Sequence, residues 1–362
     1  MTVRSVRIVY NDDFSEGVHD TYELDGKPIK LDNNIADTVK EVEASLRKEG
    51  FSTGLIPLRP GKRDCLEDFI AKIRPAVGPD CLVFNLCEEA FGKSSFEMHI
   101  AALLELLGIR FTGSGPLTLG LALNKGLTKD ILYSSDLMTP EYCVMKEPPT
   151  RLKRSLKFPL IVKPLKEDAS IGIDSEAVVR TMKELKKRVE FIIHEFNQPA
   201  IVEEYVEGRE FNIAVLGNGA GVRALPPSEI DFVDFPDGKP KICCYEAKWV
   251  PESPFYKKTV PVCPANVPDS LAEELQAVAL KAYQAMGCRD YARVDVRVGE
   301  DGNIKVLEVN PNPDISSDAG LARAGAAIGL DYSKLMTEIV RIAAERYETA
   351  EAKKPARPAP AM

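Results

Sequence analysis

Hydrophobic residues recur along this chain with two different periods, and the periods predict two kinds of element. Short runs rich in valine, isoleucine and leucine predict strands, and apolar residues spaced three or four apart predict helices. In the first ~115 residues the two kinds alternate, which predicts an open, mostly parallel α/β layer. The strands are predicted at 5–10, 51–57, 81–86 and 109–112, and the helices at 35–49, 66–73 and 94–107.

The pattern beyond residue 117 differs, because two β-hairpins stand out. One turns around Gly208, between strands at 200–205 and 211–216, and the other turns at 300–303. A further apolar strand is predicted at 158–164. The helices of this region are predicted at 118–132, 181–195, 271–286, 321–330 and 335–347.

Length and composition favour a globular protein with more than one domain. The 362 residues are 44% hydrophobic and 28% charged, an ordinary balance for a globular chain. We predict an N-terminal α/β domain over residues 1–117, a central subdomain over 118–200 and a C-terminal subdomain over 201–349. The tail at 350–362 is rich in alanine, proline and lysine, and we predict that it is disordered.

Charge and cysteine usage exclude several classes of protein. The net charge of −8 argues against a general nucleic-acid or anionic-membrane binder. No apolar run approaches the roughly 20 residues needed to span a bilayer, and the N-terminus lacks the apolar core of a signal peptide. The eight cysteines form no CxxC pair, and three histidines leave little for a His/Cys metal site. We expect reduced cysteines and a cytoplasmic enzyme with neither a nucleic-acid nor a membrane partner.

The most unusual polar residues lie on the hairpin that turns at 300–303. Asp295 lies within its first strand, and Glu308 and Asn310 end the second, where alternation sends them to the same side. If Asp295 lies opposite them, three oxygen donors converge in a set that suits Mg²⁺. Arg293 shares the face of Asp295 and would place a fixed cation beside the metal. The alternative is a solvated strand face with ordinary charges.

A second set of candidates surrounds the strand at 158–164. Lys163 is its only charge and needs an anionic partner, because burying an isolated charge is costly. The loop that follows, 166–173, has a small-residue centre with Ser170 and Gly172. A strand, a lysine and such a loop together suggest that the loop covers the phosphate groups of a bound ligand. Ser-x-Gly turns are also common without any ligand, so the loop alone leaves both interpretations open.

Three further features have two interpretations each. Glu88 follows a buried strand, where α/β proteins bind ligands, and either faces substrate or lies in a solvated loop. Trp249, the only tryptophan, either stacks on substrate or packs beneath a loop. The charge run at 183–188 is predicted to be a solvated helix face.

Five blocks in order resemble the ATP-grasp superfamily and, within it, the D-alanine–D-alanine ligase group, over residues 80–345. They are FTGSGPLTLGLALNKGLTK, FPLIVKP followed by SIGI, IVEEYVEGREFNIAVLG, YEAKW, and YARVDVRV with VLEVNPNP. The resemblance implies an α/β protein with an ATP-grasp fold of three domains. These are an open parallel N-terminal domain, a small central α+β subdomain and a C-terminal subdomain with an antiparallel sheet.

The resemblance also implies roles for individual residues. Asp295, Glu308 and Asn310 match metal ligands that usually hold two Mg²⁺ ions, for which Mn²⁺ is a substitute, and Arg293 matches an arginine that stabilises a tetrahedral intermediate. The remaining matches concern ATP. Its phosphates are contacted by Lys125 and Lys163 and covered by Ser170 and Gly172, and Lys248 reaches the γ-phosphate. Glu203 binds the adenine amino group, Glu210 binds the ribose, and the adenine pocket is lined by Glu204, Tyr205 and Val206.

The implied reaction joins a small-molecule carboxylate to an amine. The carboxylate attacks the γ-phosphate of ATP to give an acylphosphate and ADP, and the amine then displaces phosphate. The resemblance further implies a homodimer, by analogy alone. Two other classes remain as hypotheses: an ATP-grasp enzyme with a non-amine acceptor, and a nucleotide-binding protein without activity, against which the intact metal and arginine positions count.

The chain departs from the family at its substrate positions. Ala169 stands where the family has a serine, Trp249 where it has a tyrosine, and Asp318 and Ala319 where a His-Ser pair holds the second substrate's carboxylate. The family's amine-binding glutamate is not evident, and Asn33 falls near its place. We therefore predict a substrate other than plain D-alanine, with a genuine D-alanine–D-alanine ligase as the alternative.

Overall fold

In the computed structural model the chain is described at residues 3–12, 21–24, 27–30, 35–59, 65–91 and 93–352. Within those ranges the strands form four separate sheets, of three, two, four and six strands. None of the helices in these ranges is both long and apolar enough to cross a bilayer. None of the eight cysteines, all of which lie in these ranges, forms a disulfide bond. Asn33 and the last part of the predicted tail, 353–362, lie outside the described residues.

The N-terminal part is the predicted parallel α/β layer. Its central sheet has the strand order β4-β1-β5, all parallel, and apolar side chains are buried on both of its faces. One face packs on the first helix and on the last helix of the chain, and the other packs on the next two helices. The elements are β1 (Ser5–Asn11), β2 (Thr21–Leu24), β3 (Lys27–Lys30), α1 (Ile35–Lys48), β4 (Ser52–Leu58), α2 (Cys65–Ala76), β5 (Cys81–Leu86) and α3 (Glu97–Leu106).

Two predicted elements of this first half are different in the structure. The strand at 109–112 is reduced to one parallel bridge between Val83 and Phe111, because Gly113, at φ +87°, turns the chain away from the sheet. The helix at 118–132 is two helices, α4 (Pro116–Leu123) and α5 (Lys125–Ser134). The break is at Asn124, which has an extended backbone and whose side chain caps α5 by accepting from Leu127 N–H. Lys125 thereby becomes the first residue of a helix.

The central part is an antiparallel sheet with the strand order β6-β9-β7-β8, covered by one amphipathic helix. The helix begins after Thr181, whose hydroxyl accepts from Glu184 N–H as an N-cap. The elements are β6 (Tyr142–Met145), β7 (Leu160–Pro164), β8 (Val178–Val179), α6 (Met182–Phe196) and β9 (Ala200–Glu204).

The C-terminal part is an antiparallel sheet with the strand order β13-β12-β10-β14-β15, to which β11 pairs at one side. The elements are β10 (Gly208–Leu216), β11 (Arg223–Ala224), β12 (Ser228–Phe232), α7 (Tyr245–Trp249), α8 (Pro254–Lys257), β13 (Thr259–Val262), α9 (Asp269–Ala285), β14 (Tyr291–Gly299), β15 (Ile304–Asn310), α10 (Gly320–Ala327) and α11 (Tyr332–Ala352). The hairpin of β14 and β15 is confirmed. Helix α11 continues to Ala352, so the start of the predicted tail is helical.

The predicted hairpin around Gly208 is wrong. Strand β9 lies between β6 and β7 in the central sheet, whereas β10 lies between β12 and β14 in the C-terminal sheet. Both edges of each strand already have partners, so the two cannot pair with each other. Residues 205–207 instead carry the chain from one sheet to the other.

Candidate active site

The β14–β15 hairpin brings its predicted polar residues together. Asp295 is opposite Glu308, and Arg293 is opposite Asn310, in the antiparallel register. The Asn310 side-chain amide donates to Asp295 Oδ2 at 3.1 Å and to Glu308 Oε1 at 3.2 Å. All four side chains therefore share one face of the sheet, as strand alternation predicts.

Arg293 and the two acids of this face are electrostatically linked. The Arg293 guanidinium donates to both carboxylate oxygens of Asp295, each at 2.8 Å. Burial raises the pKa of Asp295 against the lowering effect of Arg293, and Glu308 raises it further. Burial also acts to raise the pKa of Glu308, but Lys125, Lys248 and Arg293 outweigh it and hold that pKa well below its ordinary value. Two neighbouring carboxylates fit a hard divalent cation, which would offset their mutual repulsion, and rotation of the Asn310 side-chain amide would add its oxygen as a ligand.

Across the cleft, Glu203 on β9 is a buried anion between two lysines. Its Oε2 lies 3.0 Å from Lys163 Nζ and 3.4 Å from Lys129 Nζ, and its side chain is 1% exposed. Burial would raise the pKa of Glu203, but Lys129 and Lys163 lower it below the ordinary value. Lys163 thus has the anionic partner that its sequence context required.

Sequence reasoning missed the burial of Lys129. Its side chain also donates to Thr139 Oγ1 at 3.0 Å, and burial lowers its pKa to about 8. The available signal was its position four residues after Lys125, which puts both lysines on one side of α5. Lys125 Nζ donates to the carbonyl of Glu167, so α5 supplies two cations to the cleft.

The segment that crosses between the sheets is held by Arg297, a second residue that sequence reasoning missed. Its guanidinium donates to Glu210 Oε2 at 2.7 and 3.0 Å and to the Val206 carbonyl at 2.7 Å. The signal was strand alternation, because Arg297 follows Arg293 and Asp295 on the same face of β14.

The residues predicted to surround the adenine lie at the end of β9 and in the segment that follows it. Tyr205 and Val206 are buried, and Glu204 pairs with Lys305 at 2.8 Å. The second oxygen of Glu203, Oε1, is buried without a hydrogen-bond partner.

The loop at 166–173 contacts the segment that carries Lys248. Ser170 Oγ donates to the Cys243 carbonyl at 2.8 Å, and Tyr245 N–H donates to the Ile173 carbonyl at 2.9 Å. The Trp249 indole N–H donates to the Ala169 carbonyl at 2.9 Å, so two of the substrate-side departures from the family contact each other. Three hydrogen bonds therefore join the two segments.

Gly172 has a steric reason to be glycine. Its φ is +73°, and a Cβ there would lie 2.6 Å from Pro164 Cγ and 2.9 Å from Phe196 Cζ. The loop therefore packs tightly against the end of β7 and the end of α6. This contact holds the small-residue centre of the loop beside Lys163.

The predicted solvated face at 183–188 is wrong at Arg188. Arg188 is 5% exposed, and it donates to Asp174 Oδ2 at 2.9 Å and to the Gly172 carbonyl at 2.8 Å. The helical period puts Arg188 on the buried stripe of α6 beside Leu185 and Ile192, where it ties the helix to the loop. Lys187, its neighbour, is exposed as predicted.

Replacing Arg188 with methionine should loosen the loop. The change leaves the Gly172 carbonyl and the Asp174 carboxylate without their charged donor. We expect the Ile173 amide, which bonds the Ser170 carbonyl, to exchange with solvent about 10- to 100-fold faster. Native-state hydrogen exchange would measure this, with Lys187→Met as the control. Equal exchange rates in the two variants would contradict the role given to Arg188.

Glu88, a predicted substrate contact, interacts electrostatically with Asp168 and Asp314, and Glu97, an acid that sequence reasoning missed, interacts with Glu88 and Asp168. Glu97 Oε1 accepts from Asn312 Nδ2 at 2.8 Å, and Asn312 follows the predicted metal ligands by two residues. Burial raises the pKa of Glu88 to about 8, with Asp314 and Asp168 adding to the effect. Burial likewise raises the pKa of Glu97 well above its ordinary value.

The pKa of Glu88 predicts a measurable change of stability with pH. Because its folded-state pKa is raised, its proton stabilises the fold at low pH, and this stability is lost as the pH rises from 4.5 through about 8. Glu88→Gln cannot lose a proton, so the variant should match the parent near pH 5 and be more stable near pH 8.5. The difference in free energy of unfolding between the variant and the parent should grow by at most about 1.4 kcal/mol per pH unit.

Thermal unfolding of both proteins in EDTA, without substrates, would measure this difference. Glu67→Gln, at an exposed glutamate of α2, is the control and should change nothing. An identical offset between Glu88→Gln and the parent at both pH values would contradict the prediction.

The remaining predicted residues differ in their exposure. Asp318 is exposed, and its backbone carbonyl accepts from Arg323. Ala319 is buried as the N-cap residue of α10, without a side-chain cap. Lys248 lies on α7, where it lowers the pKa of Glu308. Asn33 lies outside the described residues.

Comparison with known proteins identifies relatives over most of the chain. Residues 135–341 match the family described as D-ala D-ala ligase C-terminus. A D-alanine–D-alanine ligase of Bordetella petrii is 35% identical over 259 residues, which are 70% of this chain and 74% of the relative. The uncharacterized protein y4sG of Sinorhizobium fredii is 34% identical over 86% of this chain and 88% of its own length.

Solved structures give the same fold. The D-alanine–D-alanine ligase of Bacillus anthracis aligns with a TM-score of 0.71 at 23% identity, over 96% of this chain and 99% of that chain. Its complex with ATP aligns with a TM-score of 0.69 at 21% identity, over the same shares. At these identities the structures support the ATP-grasp fold alone, and the family follows from the sequence relatives. The chain therefore belongs to the D-alanine–D-alanine ligase family of ADP-forming ATP-grasp ligases.

Proposed function

We propose that this protein is an ATP-dependent carboxylate–amine ligase that forms an amide bond through an acylphosphate and releases ADP and phosphate. The observation that carries the proposal is the single polar face of Arg293, Asp295, Glu308 and Asn310. The lysines of α5, β7 and α7 act electrostatically on Glu308 of this face, so cations and metal-type ligands line one cleft. Such a cleft suits the terminal phosphates of a nucleotide.

The nucleotide would lie between the two sheets. Glu203, with an unpartnered buried Oε1, would accept from the adenine amino group, and Glu204, Tyr205 and Val206 would line the adenine pocket. Glu210, oriented by Arg297, would bind the ribose. The phosphates would be contacted by Lys125, Lys163 and Lys248 and covered by Ser170 and Gly172.

The chemistry requires two anions to meet, the γ-phosphate and the donor carboxylate. The lysines offset this repulsion before the phosphoryl group moves. When the amine then attacks the acylphosphate carbonyl, Arg293 can donate to the oxyanion that forms. The contacts between the loop at 166–173 and the segment at 243–249 would exclude water, which otherwise hydrolyses the acylphosphate.

Asp295, Glu308 and Asn310 would hold the metal, one or two Mg²⁺ ions, with Mn²⁺ as a substitute. When bound, Mg²⁺ supplies positive charge that neutralises the phosphate oxygens. This chain's own contribution is the fixed orientation of Asp295 by Arg293.

We infer that the substrates differ from two D-alanines. The inference is supported by Ala169, Trp249, Asp318 and Ala319, which replace the family's substrate contacts, and by the Trp249–Ala169 hydrogen bond. The second candidate is a D-alanine–D-alanine ligase, which the names of the 33–35% identical relatives favour. A homodimer, expected from the family, is a separate proposal that sedimentation of the purified protein would test.

The test is phosphate release from ATP with Mg²⁺, followed by product mass, across a library of carboxylates and amines that includes D-alanine. Amide product from a pair other than two D-alanines would support the proposal. Turnover with D-alanine alone would establish the second candidate. Phosphate release without any amide would indicate a non-amine acceptor, and its absence with every pair would contradict the ligase function.

A further inference from the structure

Asp290, the residue before β14, is a buried carboxylate that pairs with an arginine of the last helix. Its side chain is 0% exposed. Arg346, on α11, donates from Nε to Asp290 Oδ1 and from Nη2 to Asp290 Oδ2, each at 2.8 Å. The ion pair is therefore bidentate, and its two planar groups fix each other's orientation.

The same carboxylate accepts from two other parts of the chain. Gly113 N–H donates to Oδ2 at 2.9 Å, and Asn218 Nδ2 donates to Oδ1 at 2.8 Å. Asn218 Oδ1 accepts in return from Asp290 N–H at 3.0 Å. Four donors thus use the acceptor positions of one carboxylate. We call the set of Gly113, Asn218, Asp290 and Arg346 the Asp290 junction.

The backbone of Asp290 lies in the left-handed region, at φ +67°. For a residue other than glycine this conformation costs free energy, and it persists where the surrounding contacts hold it. A glycine would adopt it more easily but would make none of the side-chain contacts. The contacts of the carboxylate therefore fix the direction in which the chain enters β14.

Helix α11 also holds the end of the N-terminal layer. Arg346 Nη2 donates to the Phe111 carbonyl at 2.8 Å, and Phe111 N–H donates to Tyr347 Oη at 3.1 Å. Phe111 in turn forms the parallel bridge with Val83 of β5. Arg346 is thus bonded both to the layer that contains β5 and to the residue that precedes β14.

The two strands joined in this way carry opposite sides of the proposed substrate site. Glu88 follows β5 by two residues, and Arg293 lies on β14, three residues after Asp290. Asp314 acts electrostatically on both Glu88 and Arg293, so the end of β5 and the polar face of β14 adjoin. The position of a substrate between them depends on how β5 is held relative to β14, which Arg346 helps to set.

The proposed nucleotide site does not share this dependence. Two of its residues, Lys163 and Glu203, lie on the central sheet. Among the described residues, the hydrogen bonds of Asp290, Asn218 and Arg346 reach no strand of that sheet. Loss of the Asp290 junction should therefore affect the carboxylate substrate and the nucleotide differently.

We propose that Arg346 is a positioning residue of the ligase reaction. Through Asp290 and Phe111 it holds the N-terminal layer against β14, so that the carboxylate substrate meets the γ-phosphate and Arg293 in the geometry of reaction. Small displacements of reacting groups have large effects on rate, and a shift of about 1 Å costs about 100-fold. This assignment rests on the proposed ligase function.

The test compares Arg346→Met with the parent in two measurements. Steady-state phosphate release with the substrate pair identified in the library gives kcat/KM for the carboxylate substrate, and calorimetric titration with ADP and Mg²⁺ gives the Kd of the nucleotide. We expect kcat/KM to fall about 100-fold while the Kd of ADP changes by less than about 2-fold. Arg346→Lys should recover part of the loss, because it keeps the charge but loses the planar fork.

Asp290→Gly combined with Arg346→Met provides the test if Arg346→Met alone does not fold. The double variant leaves no buried carboxylate unpaired, and glycine suits the φ of +67°. It should lose kcat/KM as the single variant does. Arg341→Met is the matched control, because Arg341 pairs with Glu338 at 2.8 Å on the same helix and is 51% exposed. The control should change neither constant.

Three outcomes would contradict the assignment. Parental kcat/KM in a folded Arg346→Met or double variant would overturn the positioning role and leave the ligase function standing. An equal weakening of ADP binding and of kcat/KM would also overturn it, because a general loss of structure acts on both. No phosphate release from the parent with any substrate pair would overturn the ligase function and the role of Arg346 together.

Discussion

Arg293→Met is expected to lower kcat by about 100- to 1,000-fold, the usual effect of removing a donor to a developing oxyanion. The KM for ATP should change less than kcat, because Arg293 affects the nucleotide only through Asp295, the proposed metal ligand that it orients. Steady-state phosphate release with the acceptor identified in the library screen would measure both constants. Arg293→Lys should recover only part of the loss, since lysine keeps the charge but cannot hold both oxygens of Asp295.

Arg209→Met serves as the control for this variant. Arg209 lies on β10, beside β14, and its side chain, which pairs with Glu229 at 2.6 Å, is 44% exposed. Removing this pair should cost about 1 kcal/mol of stability and leave kcat unchanged. If Arg293→Met kept its kcat while remaining folded, the oxyanion role would be wrong.

Glu203→Leu is expected to destabilise the protein by roughly 3–5 kcal/mol, because it leaves Lys129 and Lys163 buried without their anion. Chemical denaturation followed by circular dichroism would measure the loss. Adding Lys129→Met should recover part of it, since one uncompensated charge is then removed.

Glu204→Leu is the matched control, at the next residue of β9. Its carboxylate pairs with Lys305 at 2.8 Å but is 39% exposed, so its loss should cost under about 1 kcal/mol. An equal loss of stability at residues 203 and 204 would contradict the buried-triad interpretation of Glu203, Lys129 and Lys163.

The direction of side chains within an element could be predicted from the sequence. Alternation along β15 predicted that Glu308 and Asn310 would share a face, and the observed register, with Asp295 opposite Glu308, adds Asp295 to that face. The strand at 81–86 was predicted at its observed bounds; its sequence is apolar except for Asn85, and every position is buried. The lone charge in the strand at 158–164 likewise predicted an anionic partner for Lys163.

Other features could not be predicted, because they depend on which elements pack together. Local periodicity predicted that β9 and β10 form a hairpin. In the structure β9 pairs with β7, and β10 pairs with β14, so the two strands lie in separate sheets. Arg188 carries the charge of a surface residue, and only the docking of α6 on the loop makes it a buried donor. Arg297 acquires its role from Val206, 91 residues away in the chain.

The sequence by itself determined most of the elements, the common side of Glu308 and Asn310, and the family blocks, because these depend on spacings of a few residues. The tertiary structure decided which charges meet. Lys163 reaches Glu203 across 40 residues, and Asn312 reaches Glu97 across 215. Such contacts are set by how sheets and helices pack in three dimensions, and the local pattern of polar and apolar residues does not encode them.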